Sequence, residues 1–168
     1  MPERLILRVG SITVLACAVV AAFVVDRLLV ACSVESTGVT GVGIDDSGGL
    51  VGYIQMCSDR IDGATLYEAG RDTLGRWQAR GPVADFATWS LGRPGDWTAT
   101  QRYTQPSRGR EYNLFGGTND DSTSSQHVTF RLNDLDDMSP GQVLYGDSSG
   151  AFKRVSEAEF RHDACDEK

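Results

Sequence analysis

The chain has 168 residues, with 16 Lys and Arg against 23 Asp and Glu, and a formal net charge of −7. After Cys32 the charge is −8, from 13 basic and 21 acidic residues. This length fits one domain. Because nucleic-acid binding needs a basic surface, the acidic composition argues against nucleic acid as a partner.

An apolar run without a charge, residues 9–25, follows Arg4 and Arg8 near the N-terminus. As a helix it would reach about 25 Å, slightly less than the roughly 30 Å hydrocarbon core of a bilayer. Basic residues before it and acidic residues after it favour a C-terminus outside the cell. We therefore predict that residues 1–32 are a signal peptide or membrane anchor, with a signal or transmembrane helix. The rest of the chain then lies on the extracytoplasmic side of the cell membrane.

The end of this segment, Leu-Val-Ala-Cys at 29–32, resembles the lipobox of bacterial lipoproteins. The residues after it resemble the start of small actinobacterial lipoproteins of unknown function. This resemblance implies that Cys32 is lipidated and becomes the new N-terminus. Two alternatives stay open: an uncleaved single-pass anchor, and cleavage after Ser33 that releases a secreted protein.

The four cysteines divide by position. Cys17 lies in the apolar run and Cys32 at the lipobox, which leaves Cys57 and Cys165 for the exported part. Disulfides persist outside the cytoplasm, and the two remaining cysteines make an even pair. We predict a disulfide between Cys57 and Cys165, worth up to roughly 4–5 kcal/mol in the chain-entropy model.

Residues 33–49 are rich in Gly, Ser and Thr without a period, which predicts a flexible linker of about 20–25 Å. Residues 50–168 then form the folded domain. Asp62-Gly63 is a type I′ hairpin signal. Turn residues separate the apolar and alternating segments every 8–12 positions, which predicts a mainly β fold of about seven strands, a β-sandwich. The predicted strands are 50–58, 64–68, 77–80, 85–91, 97–103, 111–115 and 127–132.

The C-terminal part adds smaller elements. Residues 133–138 favour a turn of helix, and 142–145 an added edge strand. Ser156 and Glu159 form a capping box, because each side chain satisfies a backbone donor near the other residue. They predict a short helix that continues to about Asp163.

A tyrosine, an Asn-Asp-x-Ser loop and a Val-Thr-Phe strand follow one another at Tyr112, 119–122 and 128–130. This order resembles the last hairpin of fibronectin type III and related immunoglobulin-like domains. The resemblance implies that the domain is an antiparallel immunoglobulin-like β-sandwich.

One motif resembles the active site of serine hydrolases. Gly-x-Ser-x-Gly at 146–150 matches the nucleophile elbow, with Ser148 as nucleophile and His127 or His162 as base. The elbow needs a strand, a turn and a helix in a parallel α/β sheet, which the strand pattern does not favour. A Gly/Asp/Ser turn explains the same residues, so we predict no catalytic residues.

The exported part contains few histidine and cysteine side chains that could bind a metal ion. Zinc would need His127, His162, Cys57 and Cys165, but an exported protein favours the disulfide. Calcium prefers oxygen ligands, and no EF-hand spacing is present. We predict no metal and no cofactor, with a calcium-stabilised structural domain as an alternative. The acidic groups considered for calcium are Asp45, Asp46, Asp120, Asp121, Asp134, Asp136 and Asp137.

Aromatic residues in the strands suit either a core or an exposed sugar-binding face, and the core is the commoner role. The residues concerned are Trp77, Trp89, Trp97, Tyr53, Tyr67, Tyr103 and Tyr112.

The sequence thus predicts a membrane-attached extracytoplasmic module without catalytic activity. Such a module binds a protein or cell-envelope ligand through its loops or an edge strand. The alternatives are a small hydrolase using Ser148 and the calcium-stabilised domain.

Overall fold

Eleven β-strands dominate the computed structural model, which describes residues 34–147 and 149–166. A 3₁₀-helix (Leu132–Leu135) and one short α-helix, α1 (Glu157–Asp163), complete the fold. The predicted N-terminal helix and the lipidation site Cys32 lie outside the described residues. Within the described ranges, no helix is both long and apolar enough to cross a membrane. The strands are β1 (Glu35–Ile44), β2 (Leu50–Met56), β3 (Ile61–Glu68), β4 (Thr73–Val83), β5 (Phe86–Ser90), β6 (Thr98–Gln101), β7 (Tyr112–Gly117), β8 (Thr123–Gln126), β9 (Val128–Phe130), β10 (Gln142–Gly146) and β11 (Phe152–Ser156).

All eleven strands belong to one curled sheet, in which β1 has neighbours on both edges. One edge of β1 pairs antiparallel with β2 over Gly38–Ile44. Its other edge pairs in parallel with β8 near its start and antiparallel with β10 near its end. From β8 the sheet continues through β7, β3, β4 and β6, while β5 pairs with β2 and β9 with β7.

The main core is built from alternate residues of these strands. In β2, Ile54 and Met56 join the main cluster, whereas Tyr53 belongs to a second cluster. Successive side chains in a strand point to opposite faces, so the two clusters lie on opposite sides of β2. The large side chains of the main core that are fully buried include Trp77, Tyr112, Phe130, Leu66, Leu91 and Leu114.

Helix α1 covers the second face of β1, β2 and β10. Phe160 is fully buried there, with Tyr53 and Tyr145 among its neighbours at ring distances of 6.5 and 5.2 Å. The predicted capping box is confirmed: the Glu159 carboxylate accepts from the Ser156 amide at 2.8 Å, and the Ser156 hydroxyl accepts from the Glu159 amide at 3.2 Å.

The predicted disulfide between Cys57 and Cys165 is present. Its two Cα atoms are 5.3 Å apart and 108 positions apart in sequence. It joins the segment after β2 to the residues just beyond α1, and so fixes the C-terminal helix to the sheet.

The prediction of a flexible linker at 33–49 is wrong from Glu35 to Ile44, because these residues form β1. Its glycines serve close packing rather than flexibility. A Cβ at Gly41 would overlap the Val143 side chain, and one at Gly43 would overlap the Gln142 carbonyl. Only the turn after Ile44 connects β1 to β2.

Several strand predictions also need correction. The sheet has eleven strands within the described residues rather than about seven: β1 was expected to be linker and β8 loop, β10 was predicted as an added edge strand, and β11 was not predicted. Asp62-Gly63 lies inside β3 at a register shift, not in a hairpin turn. The predicted half-buried strand at 97–103 is reduced to β6, whose four residues are all exposed.

Candidate functional site

A cleft of about 440 Å³ opens at the end of the sheet where β1 turns into β2. Four separate segments line it: the β1–β2 turn, the segment after β5, the β6–β7 connection and the 3₁₀-helix. Its size falls in the range of roughly 300–1,000 Å³ that is typical of small-ligand sites. Since distant parts of the chain form it, the cleft exists only in the folded domain.

Part of the cleft lining is apolar, and the lining contains one phenol, that of Tyr103. Leu50 and Leu135 belong to the main core and also line the cleft. The half-buried Tyr103 ring lies 6.0 Å from the Trp77 ring. Burial raises the pKa of Tyr103 to about 12, so its hydroxyl stays neutral at physiological pH. The cleft therefore offers an apolar wall with a neutral hydrogen-bonding group.

One rim of the cleft is a rigid acidic turn. The Asp45 carboxylate accepts hydrogen bonds from the Ser47 amide at 2.8 Å, the Ser47 hydroxyl at 2.6 Å and the Gly49 amide at 2.8 Å. The Ser47 hydroxyl contributes most to the lowered pKa of Asp45, followed by the Gly49 amide, and the positive charge of Arg93 contributes less. Asp45 therefore stays ionised, and Arg93 adds a cation to the lining of the same cleft.

An arginine holds the wall that the β6–β7 connection and the 3₁₀-helix form. Two Arg108 guanidinium nitrogens donate to the two Asp136 carboxylate oxygens at 2.8 and 2.7 Å, and one of them also donates to the Asn133 side chain at 3.0 Å. These bonds lower the pKa of Asp136. The groups are largely exposed, and exposed ion pairs add little stability. Their main effect is to hold the β6–β7 connection against the 3₁₀-helix.

Tyr112 fixes the same connection from inside. Its ring is 1% exposed. Its hydroxyl accepts from the Ser107 amide at 2.7 Å and donates to the Ser107 carbonyl at 3.0 Å. The next residues on either side, the buried Pro106 and the exposed Arg108, both line the cleft. Tyr112 thus positions part of the cleft wall without touching the cleft.

His127 and His162, the two bases considered for the alternative hydrolase, do not line this cleft. Ser148 itself is outside the described residues. Its motif lies between β10 and β11, which are antiparallel neighbours, whereas the nucleophile elbow joins a strand to a helix. The exposed His127, between β8 and β9, lines a smaller groove with Tyr67 and Phe115. His162, on α1, has its Nδ1 2.6 Å from Asp163, which raises the pKa of His162.

Several of the residues that were considered as metal ligands have other partners. Cys57 and Cys165 are bonded to each other, so the zinc interpretation is wrong. Among the residues considered for calcium, Asp120 accepts from the Ser122 hydroxyl at 2.7 Å, and Asp134 accepts from the Arg131 amide at 2.7 Å. An exposed group on α1 and just after it brings three side chains within 4.8 Å of one another: His162, Asp163 and Asp166.

The three tryptophans form core rather than a sugar-binding surface. Trp77, Trp89 and Trp97 are 2%, 3% and 7% exposed. Trp89 and Trp97 stack with ring centres 4.5 Å apart, and the Trp77 indole donates to the Leu91 carbonyl at 3.2 Å. The interpretation of these tryptophans as an exposed platform is therefore wrong.

Comparison with family models, with curated proteins and with solved structures gives no match.

Sequence reasoning did not identify Arg93, Tyr103 or Arg108 as parts of one site. They lie in segments between different strands, and no local motif links them. The one signal in the sequence is Tyr112, which belongs to the resemblance to the last fibronectin type III hairpin and whose hydroxyl anchors this connection.

Proposed function

We propose that the chain is a membrane-attached, extracytoplasmic binding domain with an immunoglobulin-like β-sandwich and no catalytic site. Its ligand occupies the cleft at the end of β1. The observation that carries the proposal is the convergence of four chain segments on one concave site with an apolar wall and a charged rim. Loops placed by a rigid sheet are the usual position of binding residues.

The strand pairing supports the immunoglobulin-like arrangement. Strands β5, β2 and β1 neighbour one another as strands E, B and A do in that fold. Strands β3 and β7, with β8 and β9 beyond β7, correspond to C, F and G. Tyr112 stands at the start of β7, and its hydroxyl bonds back to the Ser107 backbone, as in a tyrosine corner.

Three observations support the extracytoplasmic location. The Cys57–Cys165 disulfide is a feature of oxidising compartments. The apolar run at 9–25 follows two arginines, as in export signals and anchors. The sequence at 29–32 resembles a lipobox, and lipidation there would attach the domain to the membrane.

The residues that line the cleft indicate which chemical groups its ligand carries. Leu50, Leu135 and the Tyr103 ring favour an apolar body, because burying it removes apolar surface from water. Arg93 and the Tyr103 hydroxyl favour acceptor groups at its edge. Peptides with apolar side chains and free carboxylates fit this description, and so do envelope glycans with apolar faces.

The test uses the full chain in detergent micelles and ligand-observed NMR with two panels: N-acetyl tripeptides and short oligosaccharides. Gln105→Trp should fill the cleft from its exposed wall, whereas Thr100→Trp places the same ring on the exposed β6 strand outside it. We expect saturation transfer to at least one panel member, lost in Gln105→Trp and kept in Thr100→Trp. Absence of transfer to both panels, or transfer that Gln105→Trp leaves unchanged, would contradict binding in the cleft.

A further inference from the structure

Four charged side chains belong to the described lining of the cleft, and they form two groups. Arg108 and Asp136 are bonded to each other through two guanidinium nitrogens and both carboxylate oxygens. Asp45 and Arg93 lie on two other segments of the lining. The four charges cancel, although the chain after Cys32 carries a net charge of −8. A lining that is neutral but carries both signs favours a ligand of the same kind.

Asp45 keeps one carboxylate oxygen for a ligand. Its three hydrogen bonds, from the Ser47 amide, the Ser47 hydroxyl and the Gly49 amide, all end on Oδ1. Within residues 34–147 and 149–166, Oδ2 accepts no hydrogen bond. Gly49 also lines the cleft, and a Cβ at this position would lie 2.9 Å from Oδ2. Because glycine carries no Cβ, it leaves Oδ2 uncovered on this side.

Arg93 supplies a cation that has no partner of its own. The side chain is exposed, and its guanidinium makes no hydrogen bond or ion pair within the part of the chain that the structure describes. Its charge nevertheless acts on Asp45: the Ser47 hydroxyl contributes most to the lowered pKa of Asp45, and Arg93 adds to this effect. The cleft therefore holds an anion and a cation that are not bonded to each other.

The rest of the lining supplies a neutral hydroxyl and an apolar wall. The Tyr103 hydroxyl makes no hydrogen bond to another described residue, and burial raises the pKa of Tyr103 to about 12. A Cβ at Gly92, the residue before Arg93, would lie 3.7 Å from the Tyr103 ring. The two donors, Arg93 and Tyr103, thus belong to neighbouring parts of the lining. Leu50 and Leu135 add apolar surface.

We infer that the ligand of this cleft is a small zwitterion with an apolar side chain: an apolar amino acid, or a short peptide with both ends free. Its ammonium group donates to Oδ2 of Asp45, and its carboxylate accepts from Arg93 and the Tyr103 hydroxyl. Its side chain packs against Leu50 and Leu135. The inference rests on the proposed function of the cleft as a binding site, and it narrows the ligand to a class that carries both charges.

A ligand that carries only one of the two charges fits this site less well. A carboxylate without an ammonium group meets the negative charge of Asp45, and an ammonium group without a carboxylate meets the positive charge of Arg93. In each case one charged side chain of the cleft also loses water without gaining a partner, which costs free energy. A neutral glycan leaves both side chains unpaired. The cleft therefore selects against these ligands as well as for the zwitterion.

The test compares ligands that differ only at their ends. The full chain in maltoside micelles is titrated with leucine and with leucyl-leucine, each as the zwitterion, the N-acetyl derivative and the C-terminal amide. Ligand-observed NMR at about pH 6, below the ordinary α-amino pKa of about 8, keeps every free amine charged. In the series that binds, we expect each blocked form to bind at least about tenfold more weakly than the zwitterion, because a hydrogen bond to a charged group is worth that factor.

Two variants assign the two ends of the ligand. Arg93→Gln should weaken binding of the zwitterion about tenfold without weakening that of the amide. Asp45→Asn, which keeps Oδ1 for the turn, should weaken the zwitterion equally without weakening the N-acetyl form. Arg102→Gln is the matched control, because it removes the same charge from an exposed residue outside the cleft lining; it should bind like wild type. Thermal midpoints show whether each variant is folded.

Blocked forms that bind as tightly as the zwitterion would overturn the inference, and so would zwitterion binding that either folded variant leaves unchanged. Should Asp45→Asn not fold, the wild-type comparison of the zwitterion with its N-acetyl form tests the same contact. If neither zwitterion binds, but an N-acetyl tripeptide or an oligosaccharide does and Gln105→Trp abolishes that binding, the zwitterion is wrong and the cleft remains the binding site. Absence of binding for all of these ligands would contradict the proposed function itself, and the inference with it.

Discussion

The Asp147 carboxylate accepts hydrogen bonds from the Ser149 amide at 2.9 Å and from the Ser149 hydroxyl at 2.6 Å. Asp45 makes the same two bonds to Ser47, at 2.8 and 2.6 Å. Both pairs lie in turns between antiparallel neighbours, β10 and β11 in one case and β1 and β2 in the other. The two turns therefore share one design, Asp-x-Ser-Gly.

The two turns also share a backbone conformation at their fourth position. Gly48 and Gly150 hold the fourth position of each turn with φ of 75° and 81°, a region that glycine adopts without strain. This shared turn accounts for Asp147, Ser149 and Gly150 of the motif at 146–150 without a catalytic role. Gly146 is the last residue of β10 and is not required by the turn, since Ile44 holds the same place before Asp45.

The pH dependence of stability tests these turns. Hydrogen bonds from Ser122 and then Thr118 lower the pKa of Asp120 from 3.8 to about 2, and the pKa of Asp45 and Asp147 is lowered by similar serine bonds. A lowered folded-state pKa gives stability that is complete above pH 3.8 and is lost as the pH falls toward 2. We expect the thermal midpoint to fall over this window, and to fall less steeply in Asp120→Asn.

The control for that experiment is Asp46→Asn, which removes a carboxylate of the β1–β2 turn outside the hydrogen bonds of Asp45. Its midpoint should keep the wild-type slope between pH 5 and 2. Equal slopes for wild type and Asp120→Asn would mean that the Asp120 turn does not contribute to acid unfolding.

The disulfide supports a second prediction. Replacing both Cys57 and Cys165 by Ala releases a constraint across 108 positions of the chain. The entropic model gives a loss of about 4–5 kcal/mol in the free energy of unfolding. Urea unfolding of wild type and the double variant measures it. Wild type treated with a reductant should match the variant, and an unfolding free energy that neither change lowers would refute the stabilising role.

Strong local signals predicted the fold better than composition did. The Ser156–Glu159 capping box predicted α1 because both bonds form within four residues. Composition failed at β1, where Gly41 and Gly43 indicate flexibility but pack against β10. A glycine required by a close neighbour cannot be told from a flexible one until that neighbour is known. The cleft could not be predicted for the same reason, since its lining residues come together only when distant strands pair.

Gly52 provides a test of this packing role. A Cβ there would lie 2.5 Å from Cη2 and 2.6 Å from Cζ2 of Trp89, which is 3% exposed and stacked on Trp97. Since the indole has no free space, we expect Gly52→Ala to reduce the free energy of unfolding by about 1–3 kcal/mol. Gly81→Ala is the matched control, because a Cβ at Gly81 meets no atom within 4 Å. Similar unfolding free energies for the two variants would show that the sheet accommodates the methyl group.

Tyr112→Phe separates the anchoring of the cleft wall from the packing of the core. The ring stays buried, but the hydroxyl bonds to the Ser107 amide and carbonyl are lost. A hydrogen bond of this kind contributes about 1 kcal/mol to stability, so the loss should be about 1–2 kcal/mol. We also expect faster amide hydrogen exchange in the β6–β7 connection than in wild type, because this segment loses its internal attachment.

The comparison variant is Tyr67→Phe. Tyr67 is half-buried, packs edge-on against Phe115 at 6.0 Å, and its hydroxyl makes no hydrogen bond to another described residue. It should leave both stability and exchange close to wild type. A cleft ligand should bind more weakly to Tyr112→Phe than to Tyr67→Phe. That difference would show that the cleft wall around Ser107 contributes to ligand recognition. Unchanged exchange in Tyr112→Phe would instead mean that the Arg108–Asp136 pair holds this wall without the tyrosine.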